Sequence, residues 1–255
     1  MRVLYLGNNW LGWELLKIIR QHGDEIVTLV IHPLEQRKFG REIIETAGVD
    51  SNQILEATAL ESPTALRTIR EAVPEIGVCV MFGYILRPNF LSLIPRGCVN
   101  VHLALLPYNR GAYPNVWSIV DRTPAGVTIH FVDEGIDTGD VIAQGEVPIE
   151  PIDTGESLNR KLVRRATALF AEVWPRIRAG QIEPKPQSKE VGTYHRVKDV
   201  TQIDEIDLNR KYRAGDLINI IRARTFAGYR GAYFRHEGSK VYLRLTLRAD
   251  EFDEG

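Results

Sequence analysis

The 255 residues are 44% hydrophobic and 25% charged, with a formal net charge of −1. That is the balance of an ordinary globular protein able to bury a sizeable core, with no global attraction to nucleic acid or an anionic membrane surface. No apolar run reaches the ~20 residues of a membrane span, the opening MRVLYLGNNW reads as a strand start instead of a secretory leader, and the only cysteines, Cys79 and Cys98, lie in apolar runs as reduced, buried thiols, so a cytoplasmic protein without disulfides is expected.

In chain order, Arg2 to Leu6 is a strand that ends at Gly7, and Leu11, Leu15, Ile18 and Ile19 repeat at helical spacing as far as His22-Gly23. Strand, glycine turn and helix open a doubly wound sheet. The first turn, Gly7-Asn8-Asn9-Trp10-Leu11-Gly12, lacks the glycine pattern of a dinucleotide fingerprint and the Lys-Ser/Thr of a phosphate loop; a phosphate at the helix N-terminus and a plain tight turn both remain open. Glu25 to His32 is a second strand stopped by Pro33, Arg41 to Ala47 a short helix, and Ile54 to Ala57 a third strand. Ser62-Pro63 starts a helix through Val73, with proline where its missing N–H costs nothing. Ile76 to Met81 is uniformly apolar, as a strand covered on both faces is; it leads to the loop Phe82 to Leu86 and a helix from Asn89 to Ile94.

Cys98 to His102 is a strand, and alternation sends Asn100 and His102 to one side and Val99 and Val101 into the core. A bend (Leu105, Leu106, Pro107), a polar loop (Tyr108 to Gly111) and a helix from Pro114 to Val120 follow. The strand Val127 to Val132 then runs into Asp133-Glu134-Gly135-Ile136-Asp137-Thr138-Gly139-Asp140, dense in carboxylates and glycines. An amide, an imidazole and a carboxylate carried by strand ends are suited to acyl transfer without a serine or cysteine nucleophile. The acidic turn by itself fits either a hard cation or a tight bend that aims one carboxylate. His22, His32, His130, His195 and His236 show no zinc-ligand spacing, and His130, alternating with Thr128 and Val132, defaults to packing or hydrogen bonding.

Beyond Asp153-Thr154-Gly155-Glu156 a long helix carries the apolar stripe Leu158, Leu162, Ala166, Leu169, Phe170 and Val173 opposite Arg160, Lys161, Arg164 and Arg165. Pro175 is expected to bend or end it. The basic face reads as a solvated surface before it reads as a nucleic-acid track. Gln181 to Lys189, with Pro184 and Pro186, is a connector and domain boundary. A helix from Ala214 to Arg224 follows, then strands Ala232 to His236 and Lys240 to Leu247 joined by Glu237-Gly238-Ser239, and a frayed acidic tail from Asp250 to Gly255.

The run Asn100-x-His102-x-x-Leu105-Leu106-Pro107, followed downstream by Asp137-x-Gly139, resembles the formyltransferases that use 10-formyltetrahydrofolate. The resemblance covers Arg2 to Gly180 and, more weakly, Ile203 to Leu247. It implies an α/β fold, a doubly wound Rossmann-like mixed sheet over residues 1–180 as catalytic domain, with a small α+β C-terminal extension over 181–255 ending in a β-hairpin. It also implies catalytic roles for Asn100, His102 and Asp137, with Asp137 keeping His102 cationic, and a 10-formyltetrahydrofolate crevice lined by Tyr84, Ile85, Leu86, Asp133 and Glu134. No metal is called for. Leu103-Ala104 departs from the Pro-Ser or Gly-Ser of many relatives, which removes a hydroxyl near the site. The loop through Gly111 with Pro114 and Trp117-Ser118-Ile119 looks most like members that formylate nucleotide-linked amino sugars, and also like formylating modules of peptide synthetases. Trp10, Asn109, Arg110 and Tyr113 are the expected substrate contacts, a small-molecule acceptor the expected partner, and pairing of the C-terminal hairpins the route to a homodimer. Methionyl-tRNA formyltransferases carry a C-terminal barrel larger than the stretch after Gln181, so tRNA ranks second. Glycinamide ribonucleotide or hydroxyornithine formylation and a non-enzymatic binding module rank lower.

Overall fold

The computed structural model describes residues 1–188 and 191–249; Lys189 of the expected connector and the acidic tail from Asp250 lie outside the described residues. The chain forms two compact units, one from Met1–His102, Val127–Gly145 and Ala166–Gln187, the other from Leu103–Gly126, Glu146–Arg165 and Ser188–Gly255.

In the first unit, β-branched and leucine-rich runs become strands β1 (Arg2–Gly7), β2 (Glu25–Ile31), β3 (Ile54–Glu56), β4 (Ile76–Val80) and β5 (Cys98–His102). The helices α1 (Asn9–Gln21), α2 (Gly40–Ala47), α3 (Pro63–Ala72) and the short α4 (Pro88–Leu91) fall between them. Ser62 caps α3 as expected, its hydroxyl accepting from the Ala65 amide at 3.2 Å. The α1 stripe that faces the core is Leu11, Leu15, Leu16 and Ile19, so Leu16 takes the place that the spacing offered to Ile18. All of β4 is buried, in keeping with its parallel neighbours β1 and β5 on either side. Because β1 pairs in parallel with both β2 and β4, the strand order reverses there, and in open α/β sheets the carboxyl ends of the strands at such a reversal are where ligands bind.

Two further strands complete the sheet after β6 (Arg110–Gly111) and α5 (Pro114–Val120): β7 (Gly126–Phe131) and β8 (Val141–Glu146). The order is β3-β2-β1-β4-β5-β7-β8, with β7 antiparallel to β5, which makes the sheet mixed and matches the fold the resemblance implied. Strand β8 is not evident in the sequence, where Gln144 and Gly145 interrupt the apolar pattern. The core under β1, β2 and β4 includes Leu4, Leu6, Val30, Ile69, Phe90 and Cys98.

Helix α6 (Gly155–Arg178) continues through Pro175, so of the bend or end expected there the end does not occur. A proline inside a helix costs about 3 kcal/mol, but Trp174 and Ile177 on either side are fully buried, and large apolar side chains contribute roughly 1.5–3 kcal/mol each on burial. Asp24 adds to this, accepting from Trp174 Nε1 at 2.9 Å and Arg178 Nε at 3.0 Å. Beyond the helix the connector is extended along the sheet, with Lys185 bridging Val141.

In the second unit β6 pairs in parallel with β9 (Tyr194–His195), and α7 (Val200–Asp204), α8 (Ala214–Ala223), β10 (Tyr233–His236) and β11 (Ser239–Tyr242) follow. The hairpin turn is only Glu237-Gly238, at φ 48 and 82. Two successive positive φ angles match the right-handed twist of the strands, so Ser239 joins β11, which ends at Tyr242 instead of Leu247. At the start of α6, Asp153 accepts from Ser157 Oγ at 2.6 Å and Lys161 Nζ at 2.7 Å, which removes Lys161 from the solvated basic face. The Trp117 and His195 rings stack at 4.0 Å with 6° between planes, and Asp121 lies 3.0 Å from His195 Nε2. Burial holds the Asp121 carboxyl above its ordinary value against the pull of His195.

Candidate active site

Strand alternation delivers what the sequence predicts on β5: Val99 and Val101 are buried, and Asn100 and His102 share the other face. The antiparallel register then sets His130 of β7 opposite Asn100, with Asn100 Nδ2 3.1 Å from His130 Nε2. The same amide nitrogen donates to Asp137 Oδ1 at 3.3 Å. Asp137 Oδ2 lies 3.6 Å from His102 Nδ1, and its Oδ1 3.5 Å from His130 Nε2. Asn100, His102 and Asp137 therefore converge, and His130 completes the group.

The hydrogen-bond pattern assigns protons. A carboxylate only accepts, so the amide nitrogen of Asn100 faces Asp137, and its second hydrogen goes to His130 Nε2 as acceptor. His130 then carries its proton on Nδ1, which donates to the Phe131 carbonyl at 2.8 Å. The sequence assigns His130 to packing or hydrogen bonding, and the hydrogen bond is found; what the sequence lacks is the β5–β7 register that sets the ring beside Asn100 and Asp137, although Thr128-x-His130 shows the same alternation as Asn100-x-His102.

The turn that carries Asp137 is built tightly. Asp133 Oδ1 accepts from the Gly135 amide at 3.0 Å and from Thr138 Oγ1 at 2.7 Å, so the Asp133 side chain is committed to the turn. A Cβ on Gly139 would overlap the Phe131 carbonyl oxygen, which is the physical reason for the glycine two residues after the aspartate. Asp137 itself has φ 53, a left-handed conformation that aspartate tolerates better than most residues.

Of the other expected cofactor contacts, Glu134 is exposed. Tyr84, Ile85 and Leu86 follow β4, where Gly83, Tyr84 and Leu86 help line a cavity of about 350 Å³, within the size range of small-molecule sites. Leu86 is buried, Ile85 is 66% exposed, and Tyr84 Oη donates to Gln36 Oε1 at 3.3 Å. His32, at the end of β2, meets the Phe82 and Tyr84 rings edge-on at 5.3 and 5.2 Å. Asn8 Oδ1 accepts from the Lys38 amide at 2.7 Å, so its Nδ2 is the atom 2.9 Å from His32 Nδ1. His32 accepts at Nδ1 and carries its proton on Nε2. Burial, then the charge of Arg37, hold this ring below its ordinary value.

Trp10, at the start of α1, is 38% exposed and Tyr113, in the second unit, is 39% exposed; Arg110 is half-buried on β6. Asn109 departs from expectation. Its side chain is fully buried, donating to Ser118 Oγ at 2.9 Å and Thr123 Oγ1 at 2.8 Å and accepting from Thr193 Oγ1 at 3.1 Å, so it orders its own loop instead of facing a ligand. Burial pushes the Cys98 thiol up to about 12 and Cys79 well above its usual range, as expected of inert core thiols. Among the described residues no group of three or more histidines, cysteines or carboxylates is placed to hold a metal ion.

A doubly wound sheet with an amide, two imidazoles and a carboxylate gathered at β5, β7 and the turn after β7 defines an α/β protein whose arrangement suits group transfer by oriented donors beside a carboxylate. Residues 3–174 match the Formyl transferase family, and residues 199–249 match the N-formyltransferase dimerization C-terminal domain; the chain belongs to the formyltransferase family. It is 33% identical over 200 residues to a methionyl-tRNA formyltransferase of Desulforamulus reducens, covering 76% of this chain and 63% of that protein. A 4-N formyltransferase from Francisella tularensis superposes with a TM-score of 0.81 at 25% identity over 98% of both chains. A formyltransferase from Anoxybacillus kamchatkensis, solved with UDP-4,6-dideoxy-4-formamido-L-AltNAc and tetrahydrofolate, superposes with a TM-score of 0.60 at 29% identity, covering 79% of this chain and 89% of that one.

Proposed function

We propose that the protein transfers a formyl group from 10-formyltetrahydrofolate to the amino group of a nucleotide-linked amino-deoxy sugar, with residues 1–180 as the catalytic domain and 181–255 as an extension that pairs in a homodimer. One observation carries the choice of acceptor: the likeness to the Francisella 4-N formyltransferase runs over 98% of both chains at a TM-score of 0.81, whereas the chain spans between 62% and 80% of the methionyl-tRNA formyltransferases it matches. The match of residues 199–249 to the dimerization domain supports the same reading.

In this reading the acceptor amine attacks the formyl carbon, the carbonyl electrons move to oxygen, and the oxyanion is met by the Asn100 amide and the His102 ring; the oxyanion then collapses, the bond from the formyl carbon to folate N10 breaks, and N10 leaves as tetrahydrofolate carrying the proton that the amine gives up. One Asn100 hydrogen exchanges from His130 Nε2 to the oxyanion as charge develops. Asp137, 3.6 Å from His102 Nδ1, orients the ring and the group that takes the amine proton. The backbone of Tyr84–Leu86 and of Asp133–Asp137 offers donors and acceptors to the pterin, and Trp10, Arg110 and Tyr113 are each proposed as contacts of the nucleotide sugar. The second reading, a tRNA acceptor, is favoured by the sequence relatives.

The test is release of tetrahydrofolate by the purified protein against a panel of dTDP-, GDP- and UDP-linked amino sugars and methionyl-tRNA. Turnover with an amino sugar and not with the tRNA is expected; the reverse selects the second reading. His102→Asn is expected to lower turnover by about a hundredfold or more, and near-normal turnover removes His102 from the mechanism.

A further inference from the structure

The connector after α6 does more than lead away from the sheet. Lys185 exchanges both backbone hydrogen bonds with Val141, at 2.8 and 2.9 Å. Two residues on, Gln187 Nε2 donates to the Asp137 carbonyl and to the Gly139 carbonyl, each at 2.8 Å. A primary amide nitrogen has two hydrogens, and here they bracket the turn that presents the Asp137 carboxylate to Asn100 and His102.

That turn needs holding. A left-handed backbone costs a residue with a side chain roughly 1–2 kcal/mol, and Asp137 has φ 53. Relaxing to the ordinary right-handed region would turn its carbonyl and swing the carboxylate away from the β5 residues. The two bonds from Gln187 fix the carbonyls on both sides of Thr138. Gly139 is stopped against the Phe131 carbonyl, and Phe131 N donates to the Asp140 carbonyl at 2.9 Å, so the turn is gripped from the strand side and from the connector side.

We propose that Gln187 is a positioning residue of the active site: its amide clamps the 137–139 turn and thereby sets the Asp137 carboxylate between Asn100 and His102. This rests on the reading of Asp137 as a catalytic group. Nothing in the local sequence marks Gln187, since the contact spans fifty residues.

The experiment compares the full-length wild type with Gln187→Met, which keeps the length of the side chain and loses both donors, and with Gln187→Glu, which keeps its shape and sets an ionised carboxylate against two carbonyls. Backbone amide exchange over residues 137–140 is expected to accelerate at least about tenfold in both variants. Turnover number should fall about ten- to a hundredfold, more in the glutamate variant, while KM for the acceptor amine stays within about threefold and the urea midpoint holds. Turnover within about threefold of wild type in both variants, unchanged exchange over 137–140, or loss of the cooperative urea transition in both overturns the positioning role. If the wild type formylates no acceptor in the panel, the proposed function falls separately, and exchange alone decides the clamp: acceleration confined to 137–140 supports it and its absence ends it.

Discussion

Asp137→Asn tests the charge at the site with little else disturbed. Asparagine tolerates the left-handed region as aspartate does, so φ 53 at position 137 and the clamp on its carbonyl survive, and a side-chain oxygen can still accept from Asn100. What is lost is the negative charge 3.6 Å from His102 Nδ1. For two unit charges at that separation an effective dielectric of about 20 gives roughly 5 kcal/mol. If a little under half of this is realised only as the oxyanion and its cationic partner develop, the barrier rises by about 2 kcal/mol, or roughly thirtyfold in turnover. Steady-state release of tetrahydrofolate, with a urea melt as control, measures both quantities. A variant that folds normally and turns over within about threefold of wild type would refute an electrostatic role for this carboxylate.

Gly139→Ala forces the turn to retreat from the Phe131 carbonyl by roughly an ångström; we expect a stability loss of about 1–3 kcal/mol and a drop in turnover of about a hundredfold, and wild-type values for both would contradict the packing argument. His32 titrates below its ordinary value in the folded protein, so protonation favours the unfolded chain: its contribution is complete above about pH 6.5 and is lost as pH falls through the folded value. The urea midpoint should therefore fall more steeply between about pH 7.5 and 5.5 in wild type than in His32→Gln, and parallel slopes would exclude His32 as the source. Cys79 and Cys98, buried with raised thiol values, should react with a thiol reagent only at the rate of global unfolding; prompt labelling of the native protein would show that the strands around them open locally.

Much of this protein follows from local rules. The two-residue period of a strand sends Asn100 and His102 one way and Val99 and Val101 the other whatever surrounds them, and the helical period marks the buried stripe of α6 from Leu158 to Val173. Serine before proline starts α3, and alternating or continuous apolar runs separate hairpin from central strand. The rest depends on contacts between distant segments. His130 reaches Asn100 only through the antiparallel register of β7 on β5, and Gln187 reaches Asp137 only because the connector returns along β8. Pro175 stays helical because Trp174 and Ile177 are buried beside it, and Asn109 turns inward because three hydroxyls surround it. Propensity at a single residue is worth a few tenths to about 3 kcal/mol, and burial or a buried hydrogen-bond set of the same size, supplied from elsewhere in the chain, decides between it and the alternative.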